Sequence, residues 1–600
     1  MSKLPHRHSI LFLSATSMVL AIAATVIAWG LVQLIGLITS IAFYHRIGWG
    51  LVSPDHHTLG AAVVLLPVIG GLIVGVMARF GSPAIRGHGI PEAMEQILLN
   101  KSRIPPKITI LKPLSAAISI GTGGPFGAEG PIIATGGALG SLIGQIFSTT
   151  AAERKTLLAA GAAAGMTAIF GTPVSAVLLA IELLLFEFNA RSVVPVSLAC
   201  ATAAATRIWF FGHGAVFAMP ATGAPTAGVL FAFILLGAIM GVAATIVSRA
   251  VYWVEEQFEH LPIHWMWWPA IGAVAVGVIG IFAPRTLGVG YENIEDIISN
   301  HLPLKIVAWL CAMKFISWAI SLGSGTSGGT LAPLLTIGSG IGALLAAGMN
   351  HLVPGLDIPL GLAGVVGMAA MFAGASHALL ASVVFAFETT WQPDTLPALL
   401  AGATAAFLVS HLLARHSIMT EKIARRGVSV PNTYEPDPLL HVTVESAMET
   451  QLQTIPGDML ADELAKRIGR NDPAVSRRQA SLVVDTDGVL LGVITRGDVI
   501  RAVETAPEGA TVLDCSSRCL IVAHPDETLH AALEKMLRHD IGRLPVVDRK
   551  APQRLVGYLG RAHILAARSA KFREETLAEP GMWSRGNEAA QPAIASNSAV

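Results

Sequence analysis

Long apolar stretches rich in glycine and alanine fill the chain up to about Pro431, and charged residues become dense after it. The first apolar run covers Ile10–Tyr44 and the second covers about Leu59–Phe80. A helix needs about 20 apolar residues to cross the hydrocarbon core of a bilayer, so both runs can span it. The pattern predicts a polytopic α-helical membrane domain followed by a soluble C-terminal α/β region.

Further apolar runs predict a series of helices after the second span. They lie at about 90–99, 108–120, 130–147, 152–169, 173–188, 193–211, 225–257, 267–283, 304–322, 331–349, 358–373, 377–390 and 394–414. Several of these runs are too short to cross a ~30 Å hydrocarbon core alone. Short segments interrupted by glycine or proline indicate a binding site near the middle of the membrane.

The clearest interruption, Gly121–Pro131, is rich in glycine and contains one carboxylate, Glu129. In lipid, non-helical backbone is tolerated only where protein buries it or where it lines a water-filled cavity. An ionisable side chain at such a place is a functional residue by default. The sequence therefore predicts that Glu129 is the gate of an ion pathway.

The membrane region repeats itself at an offset of 202 residues, without a gap from Lys112 to Phe170. The repeat predicts two structural halves, at about 60–210 and 265–415, each with one broken Gly-x-x-x-Pro element. The matching pairs include Lys112 with Lys314, Ser115 with Ser317, Gly127 with Gly329, Pro131 with Pro333, Gly136 with Gly338, Gly140 with Gly342 and Phe170 with Phe372.

Opposite topology of the two halves would bring the broken elements together near the middle of the membrane. Helices that begin at Ile90–Pro91, Glu129–Pro131 and Thr330–Pro333 would then direct their N-termini at one point. Each N-terminus offers free N–H groups and about half a positive charge, so we expect a small anion to bind there. Glu129 would compete with that anion when ionised and swing away when protonated.

Composition agrees with this class and excludes others. The chain is 53% hydrophobic and 13% charged, whereas soluble domains carry about 25% charged residues. Its formal net charge of zero gives no reason to expect a nucleic-acid partner. Four cysteines are too few and too scattered for a disulfide framework or a zinc site, and no metal site is predicted. They are Cys200, Cys311, Cys515 and Cys519.

Three segments resemble the signatures of the CLC family of chloride channels and chloride/proton antiporters. Gly87–Pro91 is similar to the first signature, Gly127–Pro131 to the second and Gly329–Pro333 to the third. With the repeat and a C-terminal regulatory pair, the resemblance covers nearly the whole chain. It implies the CLC fold with inverted-topology repeats over residues 1–426, and a homodimer with a separate pore in each subunit.

The resemblance also assigns roles to the residues of these segments. It implies that Glu129 is the external gate, and that the transported anion is chloride or a related small anion. The implied anion-binding residues are Gly87, His88, Gly89, Ile90, Pro91, Gly127, Gly130, Pro131, Gly329, Thr330, Leu331, Ala332 and Met419.

The chain departs from the family pattern at four of these positions or beside them. His88 replaces a serine that contacts the central anion, and Ala128 replaces an arginine that commonly precedes the gating glutamate. Leu331 replaces a phenylalanine, and Met419 replaces the pore tyrosine. A neutral imidazole still donates a hydrogen bond and a charged one binds anions more tightly, so selectivity among chloride, nitrate and bromide stays open.

Proton coupling depends on a further departure. Antiporters of the family generally carry two adjacent glutamates on the helix that begins at Pro173 here; the first is Glu182, but the internal proton relay is replaced by Leu183. This replacement favours a voltage- or pH-gated chloride channel. A chloride/proton antiporter is the alternative, because Glu187 lies one helical turn beyond Leu183 and could form a proton path with Glu182.

The soluble region resembles a tandem pair of CBS domains. Residues 427–440 are predicted to be a linker, followed by two similar βαββα-like units at 441–505 and 512–570. The tail, residues 576–600, is polar and is predicted to be disordered.

One of the two units keeps the nucleotide-binding pattern of CBS pairs. In such pairs, a Thr-x-x-Asp corner binds the ribose of an adenine nucleotide, and Thr495 and Asp498 match it, whereas Gly560 and His563 do not. We expect at most one regulatory adenine-nucleotide site. A dimerising module without a ligand is the alternative, because this spacing is also that of a helix N-cap. No cofactor is expected to be required for transport.

The basic residues predict the orientation. Lys3 and Arg7 place the N-terminus in the cytoplasm, and a basic cluster marks the cytoplasmic end of the last membrane helix. That cluster comprises Arg415, Lys422, Arg425 and Arg426. The CBS region is therefore expected in the cytoplasm, and the protein in the inner membrane of a bacterial cell.

Two other classes remain as more remote alternatives. A CBS-regulated divalent-cation transporter would need several carboxylates that converge within the spans, and the N–H groups of the broken elements would repel cations. An intramembrane hydrolase would need a nucleophile paired with a base, or His and Glu at metal-binding spacing. The sequence offers no such pair, so the chain is not expected to be an enzyme.

Overall fold

The computed structural model describes residues 6–428, 430, 438–472, 475, 480–507, 509–518, 520–551 and 554–576. The described residues divide into two compact units, one before residue 435 and one after it. This boundary falls within the predicted linker, residues 427–440, of which 429 and 431–437 lie outside the described residues. The predicted disordered tail lies outside them from residue 577 onward.

The first unit is built from α-helices, as its apolar pattern predicts. They are α1 (His6–Tyr44), α2 (Leu65–Val76), α3 (Ile90–Leu99), α4 (Ile108–Gly121), α5 (Glu129–Ile146), α6 (Ala151–Phe170), α7 (Pro173–Leu179), α8 (Ala190–Phe211), α9 (Ala227–Glu259), α10 (Trp268–Phe282), α11 (Tyr291–Ile298), α12 (Leu304–Gly323), α13 (Leu331–Leu352), α14 (Leu360–Ser376), α15 (Leu379–Thr390), α16 (Leu396–Leu413) and α17 (Glu421–Arg425).

Short helical turns extend or join these helices. Two are π-helical, Met77–Gly81 after α2 and Ala180–Leu185 after α7. The 3-10 turns are Pro54–His56, Gly60–Val64, Pro83–Ile85, Trp265–Trp267, Pro284–Thr286 and Pro393–Thr395.

The lengths of the helices confirm a multi-pass membrane protein. Among the described residues, eight helical segments are long and apolar enough to cross a bilayer. Four further apolar segments, those of α4, α7 with its π-helical extension, α14 and α15, are shorter. A helix of that length does not cross a bilayer alone, and its ends must be satisfied by other parts of the protein.

Corresponding helices of the two halves run in opposite directions. Gly71 of α2 contacts the backbone of Ala270 in α10, while Val64, before α2, contacts Gly277, seven residues further along α10. The two helices are therefore antiparallel. The broken elements repeat this relation, because Gly127 and Gly329 form an antiparallel bridge. The structure confirms the inverted repeat. It also extends the repeat to helices outside the register from Lys112 to Phe170, because α1 packs on α8 in the first half as α9 packs on α16 in the second.

Small residues allow the helices of each half to pack closely. A Cβ atom on Gly136 of α5 would contact the backbone carbonyl of Gly161 in α6, and one on Gly338 of α13 would lie 2.8 Å from the carbonyl oxygen of Gly367 in α14. These are equivalent contacts in the two halves. They agree with helix packing through small residues, which is typical of membrane proteins.

The second unit is α/β. The strands β1 (Thr454–Pro456), β2 (Ala480–Val484) and β3 (Leu490–Thr495) form one sheet in that order, with β1 parallel and β3 antiparallel to β2. The strands β4 (Arg543–Val547) and β5 (Leu555–Gly560) form an antiparallel pair. The α-helices of this unit are Val444–Ala447, Ala461–Gly469, Arg496–Thr505, Leu529–Arg538 and Arg561–Thr576, with a 3-10 turn at Pro438–His441.

Candidate anion site

The three predicted signatures meet through their backbones. The Gly329 N–H donates a hydrogen bond to the Gly127 carbonyl (3.1 Å). A Cβ atom on Gly130 would contact the His88 carbonyl and would lie 2.8 Å from Gly329 Cα. The structure therefore brings together the N-termini of α3, α5 and α13, as inverted topology predicts.

Glu129 lies at this junction and joins the two halves. It is the first residue of α5, and its side chain is fully buried. Its Oε1 accepts a hydrogen bond from the Ala332 N–H in the first turn of α13 (2.7 Å). Its Oε2 accepts one from the Tyr291 hydroxyl at the start of α11 (2.9 Å). We call the space that this carboxyl group fills, between Ala332 N and Tyr291 Oη, the carboxylate position.

The backbone on both sides of the carboxylate position requires glycine. A Cβ atom on Gly127 would collide with both carboxylate oxygens of Glu129, and one on Gly329 would lie 2.9 Å from Oε1. The Gly-x-x-x-Pro spacing thus has a direct steric reason: glycine leaves the space that the carboxylate fills, and proline begins the helix without needing a hydrogen-bond acceptor.

The donors at the carboxylate position are suited to a small anion. They are a helix N-terminal N–H and a hydroxyl group, which bind negative charge without a direct ion pair. The buried Lys314 interacts electrostatically with Glu129, but its Nζ donates to the carbonyls of Thr286 (2.9 Å) and Gly288 (3.2 Å). If the Glu129 side chain moved away, a free anion would meet the same two donors, the Ala332 N–H and the Tyr291 hydroxyl.

Thr330 and Leu331 precede Ala332 and complete the N-terminal end of α13. Leu331 is 1% exposed, and its role as an apolar wall of the site, expected from its place opposite Glu129 in the repeat, stays a prediction. Thr330 is buried as well, and within the described residues its hydroxyl has no hydrogen-bond partner.

The Gly87 loop is held by charged side chains behind it. Lys112 Nζ donates to the carbonyls of Ile85 and Gly87, both at 2.8 Å. Glu92 Oε2 accepts from the Gly89 N–H (2.6 Å), which secures the start of α3. Gly87 and Gly89 have φ of 91° and 98°, a region that disfavours other residues.

His88 and Pro91 complete the first signature. The His88 side chain is 6% exposed, and its Nδ1 has no hydrogen-bond partner in the described part of the chain. Pro91 lies at the N-terminal end of α3, after Ile90, where a missing N–H costs nothing. The His88 backbone lies against Gly130, and the buried, unpartnered imidazole nitrogen agrees with an anion-binding role for His88, which stays a prediction.

Met419 lies before α17 rather than inside a helix. It is fully buried, and its N–H donates to Ser417 Oγ (3.2 Å). Arg426, just after α17, forms an ion pair with Glu95 of α3, which places α17 beside the first signature. The Met419 N–H is therefore already bonded, and its role as a pore ligand stays a prediction.

The two candidate proton-path residues have structural partners. Glu182 accepts hydrogen bonds from the N–H groups of Leu380 and Ala381 (both 3.0 Å), at the N-terminus of α15. Glu187 forms an ion pair with Lys155 (3.1 Å). Neither residue makes a described contact with Glu129. A proton path through them stays a prediction.

In the second unit, Thr495 and Asp498 form the predicted N-cap. Thr495 Oγ1 donates to Asp498 Oδ2 (2.7 Å), and the Thr495 N–H donates to the same oxygen (2.9 Å). At the equivalent corner of the other CBS repeat, the Gly560 N–H donates to His563 Nδ1 (3.1 Å) instead. His563 thus replaces the carboxylate as the backbone cap.

Sequence reasoning missed the residue that contacts Glu129 from the second half. Tyr291 follows Gly288-Val289-Gly290, a segment that matches Gly87-His88-Gly89 at an offset of 201 residues. The gap-free register of the repeat begins at Lys112, after this loop. Before Lys112 the offset between the two halves falls from 202 to 201 residues, and at this smaller offset the repeat identifies the loop.

The fold and this junction define a multi-pass membrane protein in which two inverted repeats surround an anion pathway. The voltage gated chloride channel family matches residues 70–411, more than half of the chain, and the CBS domain matches residues 444–505 and 512–570. The chain therefore belongs to the CLC family and carries a C-terminal pair of CBS domains. Members of this family transport anions, so the chain is a transport protein and not an enzyme.

Individual relatives agree with this assignment. The chain is 27% identical over 562 residues to the chloride channel protein CLC-f of Arabidopsis thaliana, covering 81% of this chain and 70% of that protein. It is 28% identical over 379 residues to the H(+)/Cl(-) exchange transporter ClcA of Vibrio parahaemolyticus, covering 61% and 79%. The solved structure of a slow cyanobacterial Cl⁻/H⁺ antiporter shares the fold, with a TM-score of 0.61, 21% identity and coverage of 71% and 99%.

Proposed function

We propose that the protein exchanges chloride, or a similar small anion, for protons across the membrane. The observation that carries this proposal is the fully buried carboxylate of Glu129, which accepts hydrogen bonds from Ala332 N and Tyr291 Oη, donors that suit an anion. An ionised carboxylate and a chloride ion repel each other strongly at such a place. Protonation of Glu129 therefore favours entry of the anion, which links the two ions.

Relatives favour exchange over the channel function that Leu183 suggested. The Vibrio relative is described as an exchange transporter, and the cyanobacterial structure is that of an antiporter. Exchange also needs a route by which protons pass between Glu129 and the far side of the membrane, for which Glu182 and Glu187 are the candidates from the sequence.

A passive chloride channel is the second candidate, and Leu183 is the observation that favours it. Leu183 is 3% exposed and sits in the apolar core, so it provides no group to carry a proton. The Arabidopsis relative is described as a channel protein. In a channel, protonation of Glu129 would open the pathway without a fixed ratio of protons to anions.

Ion flux from liposomes that contain the purified protein separates the two candidates. With a chloride gradient and no pH gradient, exchange predicts uphill proton movement, whereas a channel predicts chloride efflux with valinomycin and no proton movement. In either case Glu129→Ala should retain chloride flux and lose its response to pH. A Glu129→Ala protein whose chloride flux keeps the wild-type pH response would refute the role of Glu129.

We further propose that the anion-binding residues of the three signatures line the pathway on either side of Glu129. The donors are backbone N–H groups of the segments that begin α3, α5 and α13, together with His88. Apolar Leu331 limits the contact of water with the anion. This arrangement binds chloride without a lysine or arginine in direct contact, which permits release as well as binding.

A homodimer is proposed from the α7–α15 face. Glu388 accepts hydrogen bonds from the N–H groups of Val174 (3.0 Å) and Ser175 (2.8 Å), which mirrors the contacts of Glu182. Val174 and Leu380 beside these carboxylates are 56% and 46% exposed. Partly exposed carboxylates are costly in lipid, so a second copy is expected to cover this face.

Cross-linking in membranes between cysteines introduced at Leu380 of each copy would test this homodimer. A strictly monomeric protein would refute it.

The orientation and the nucleotide site are also proposals. The N-terminus and the CBS pair are proposed to lie in the cytoplasm of a cell with a bacterial inner membrane, which cysteine accessibility in spheroplasts would test.

An adenine nucleotide is proposed to bind near Thr495 and Asp498, because Asp498 Oδ1 is not used in the N-cap and lies 3.5 Å from Arg501. Calorimetric titration with ATP should show binding that Asp498→Ala weakens.

A further inference from the structure

Two loops of the membrane unit are built alike, although only one matches a family signature. Gly288 and Gly290 have φ of 67° and 72°, and they correspond to Gly87 and Gly89 in the first half. Gly87 N–H donates to the Thr326 carbonyl (3.2 Å), and Gly288 N–H donates to the Gly123 carbonyl (3.2 Å). Each loop thus pairs with the segment that precedes the broken element of the opposite half.

A buried lysine supports each loop from behind. Lys112 donates to the carbonyls of Ile85 and Gly87, and Lys314 donates to those of Thr286 and Gly288. Both ammonium groups therefore satisfy the carbonyls of their loops. The N–H groups of Gly87, Gly89 and Gly288 are themselves bonded within the protein, so the start of the following helix is the part of each loop that is left to contact an anion.

The two loops differ in the side chain that begins the helix. Ile90 begins α3, whereas Tyr291 begins α11 and directs its hydroxyl to Glu129 Oε2 (2.9 Å). The ring of Tyr291 packs edge-on against Phe170 and Phe217, with centroid distances of 5.7 and 6.1 Å. These contacts fix the ring, so the hydroxyl stays at the carboxylate position whether or not Glu129 occupies it.

Tyr291 also faces a pocket at the surface of the unit. Ser53, Pro54, Gly288 and Glu292 line this pocket together with Tyr291, which is itself partly exposed. Tyr291 therefore contacts the buried carboxylate and lines this pocket as well.

We propose that Tyr291 is a positioning and anion-selecting residue of the pathway. Its hydroxyl holds the ionised carboxylate of Glu129 in the carboxylate position, and donates the same hydrogen bond to the transported anion after Glu129 has been protonated and has moved away. This proposal rests on the proposed role of Glu129. It supplies a hydroxyl ligand beside Glu129, in a chain where, by its resemblance to the family, His88 and Met419 replace hydroxyl-bearing residues.

The charged groups around Glu129 fix the sign of the expected effect. Tyr291 from α11 and Lys314 from α12 face it, while His88, Glu92 and Lys112 surround the Gly87 loop of α3 and α4. Removing the Tyr291 hydroxyl takes a hydrogen bond from the ionised carboxylate alone. The protonated form then gains relative stability, and chloride efflux should be activated by acid at a higher pH.

The test is Tyr291→Phe, which removes the hydroxyl and keeps the ring against Phe170 and Phe217. In liposomes, the midpoint of the pH dependence of chloride efflux should rise by about one pH unit. In a Glu129→Ala background, where the carboxylate position is vacated, Tyr291→Phe should weaken chloride binding about tenfold by calorimetric titration. The matched control is Tyr44→Phe, since the Tyr44 hydroxyl donates to the Ser53 carbonyl and makes no described contact with Glu129.

An unchanged midpoint, or an unchanged chloride affinity in the Glu129→Ala background, would overturn the proposal for Tyr291. The same shifts in Tyr44→Phe would overturn it too, because they would show a general effect of losing a hydroxyl. The role of Glu129 fails separately: if Glu129→Ala keeps the pH response of the wild type, the gate lies elsewhere, whatever Tyr291→Phe does.

Discussion

At the scale of single residues, the proposed gate is one tethered carboxylate that would compete with a mobile anion for the same donors. The hydrogen bonds from Ala332 N and Tyr291 Oη to Glu129 join an ionised acceptor to neutral donors, a type worth about 1.5–3 kcal/mol each. A chloride ion would gain from the same donors. If Glu129 is the gate, we therefore expect its carboxylate and chloride to bind these donors with similar strength, so that a single proton on Glu129 decides which of the two occupies the position.

Gly127→Ala tests the steric part of this competition. The new methyl group would occupy the space of the Glu129 carboxylate, which is the flexible end of a side chain and would be displaced. We expect chloride efflux to lose most of its pH dependence while the protein remains folded, as measured in liposomes across the pH range.

Gly137→Ala in the same helix is the matched control for that change. Its new Cβ would lie 3.5 Å or more from the nearest atoms, in ordinary van der Waals contact. Efflux from Gly137→Ala liposomes should follow the wild-type pH profile. If Gly127→Ala also followed it, the carboxylate would not need the position that the structure gives it.

At the scale of elements, α7 and α15 are joined by reciprocal carboxylate caps. Glu182, beyond the end of α7, binds the first N–H groups of α15, while Glu388, near the end of α15, binds those of α7. Helix N-termini leave N–H groups without intrahelical partners, and inside a membrane these must be satisfied by protein. Capping of the α15 N-terminus is therefore a structural role that accounts for a glutamate at position 182.

Glu182→Gln and Glu388→Gln separate this structural role from a proton path. If capping is the role of both, each variant loses a similar amount of stability, about 1–2 kcal/mol, and proton movement per chloride is unchanged. Thermal unfolding in detergent and proton uptake by liposomes measure the two quantities. Proton uptake that is lost in Glu182→Gln but kept in Glu388→Gln would assign the proton path to Glu182.

The sequence predicted the elements better than the contacts between them. Apolar runs located the long membrane helices to within a few residues but not α11 (Tyr291–Ile298), which is short and contains several polar residues. The register from Lys112 to Phe170 predicted that Gly127 and Gly329 would meet. The Tyr291 contact was missed because the register shifts by one residue before Lys112. The capping of α15 by Glu182 was missed because a carboxylate at the end of an apolar helix has the same pattern for a cap and for a proton relay.

At the scale of the whole molecule, inverted repeats explain how an apolar protein binds an anion. The antiparallel halves bring helix N-termini from both directions to one point, and the dipoles of α5 and α13 add there. Two lysines, Lys112 and Lys314, repeat the same support in each half.

The central claim is that the Glu129 carboxylate and the transported anion use the same position. The most direct measurement is the anomalous scattering of bromide in crystals of the wild type and of Glu129→Gln, grown at neutral pH. The account predicts bromide beside Ala332 N and Tyr291 Oη in Glu129→Gln and none there in the wild type. Bromide at that position in the wild type with Glu129 still bound, or its absence from Glu129→Gln when other pathway sites are filled, would contradict the account.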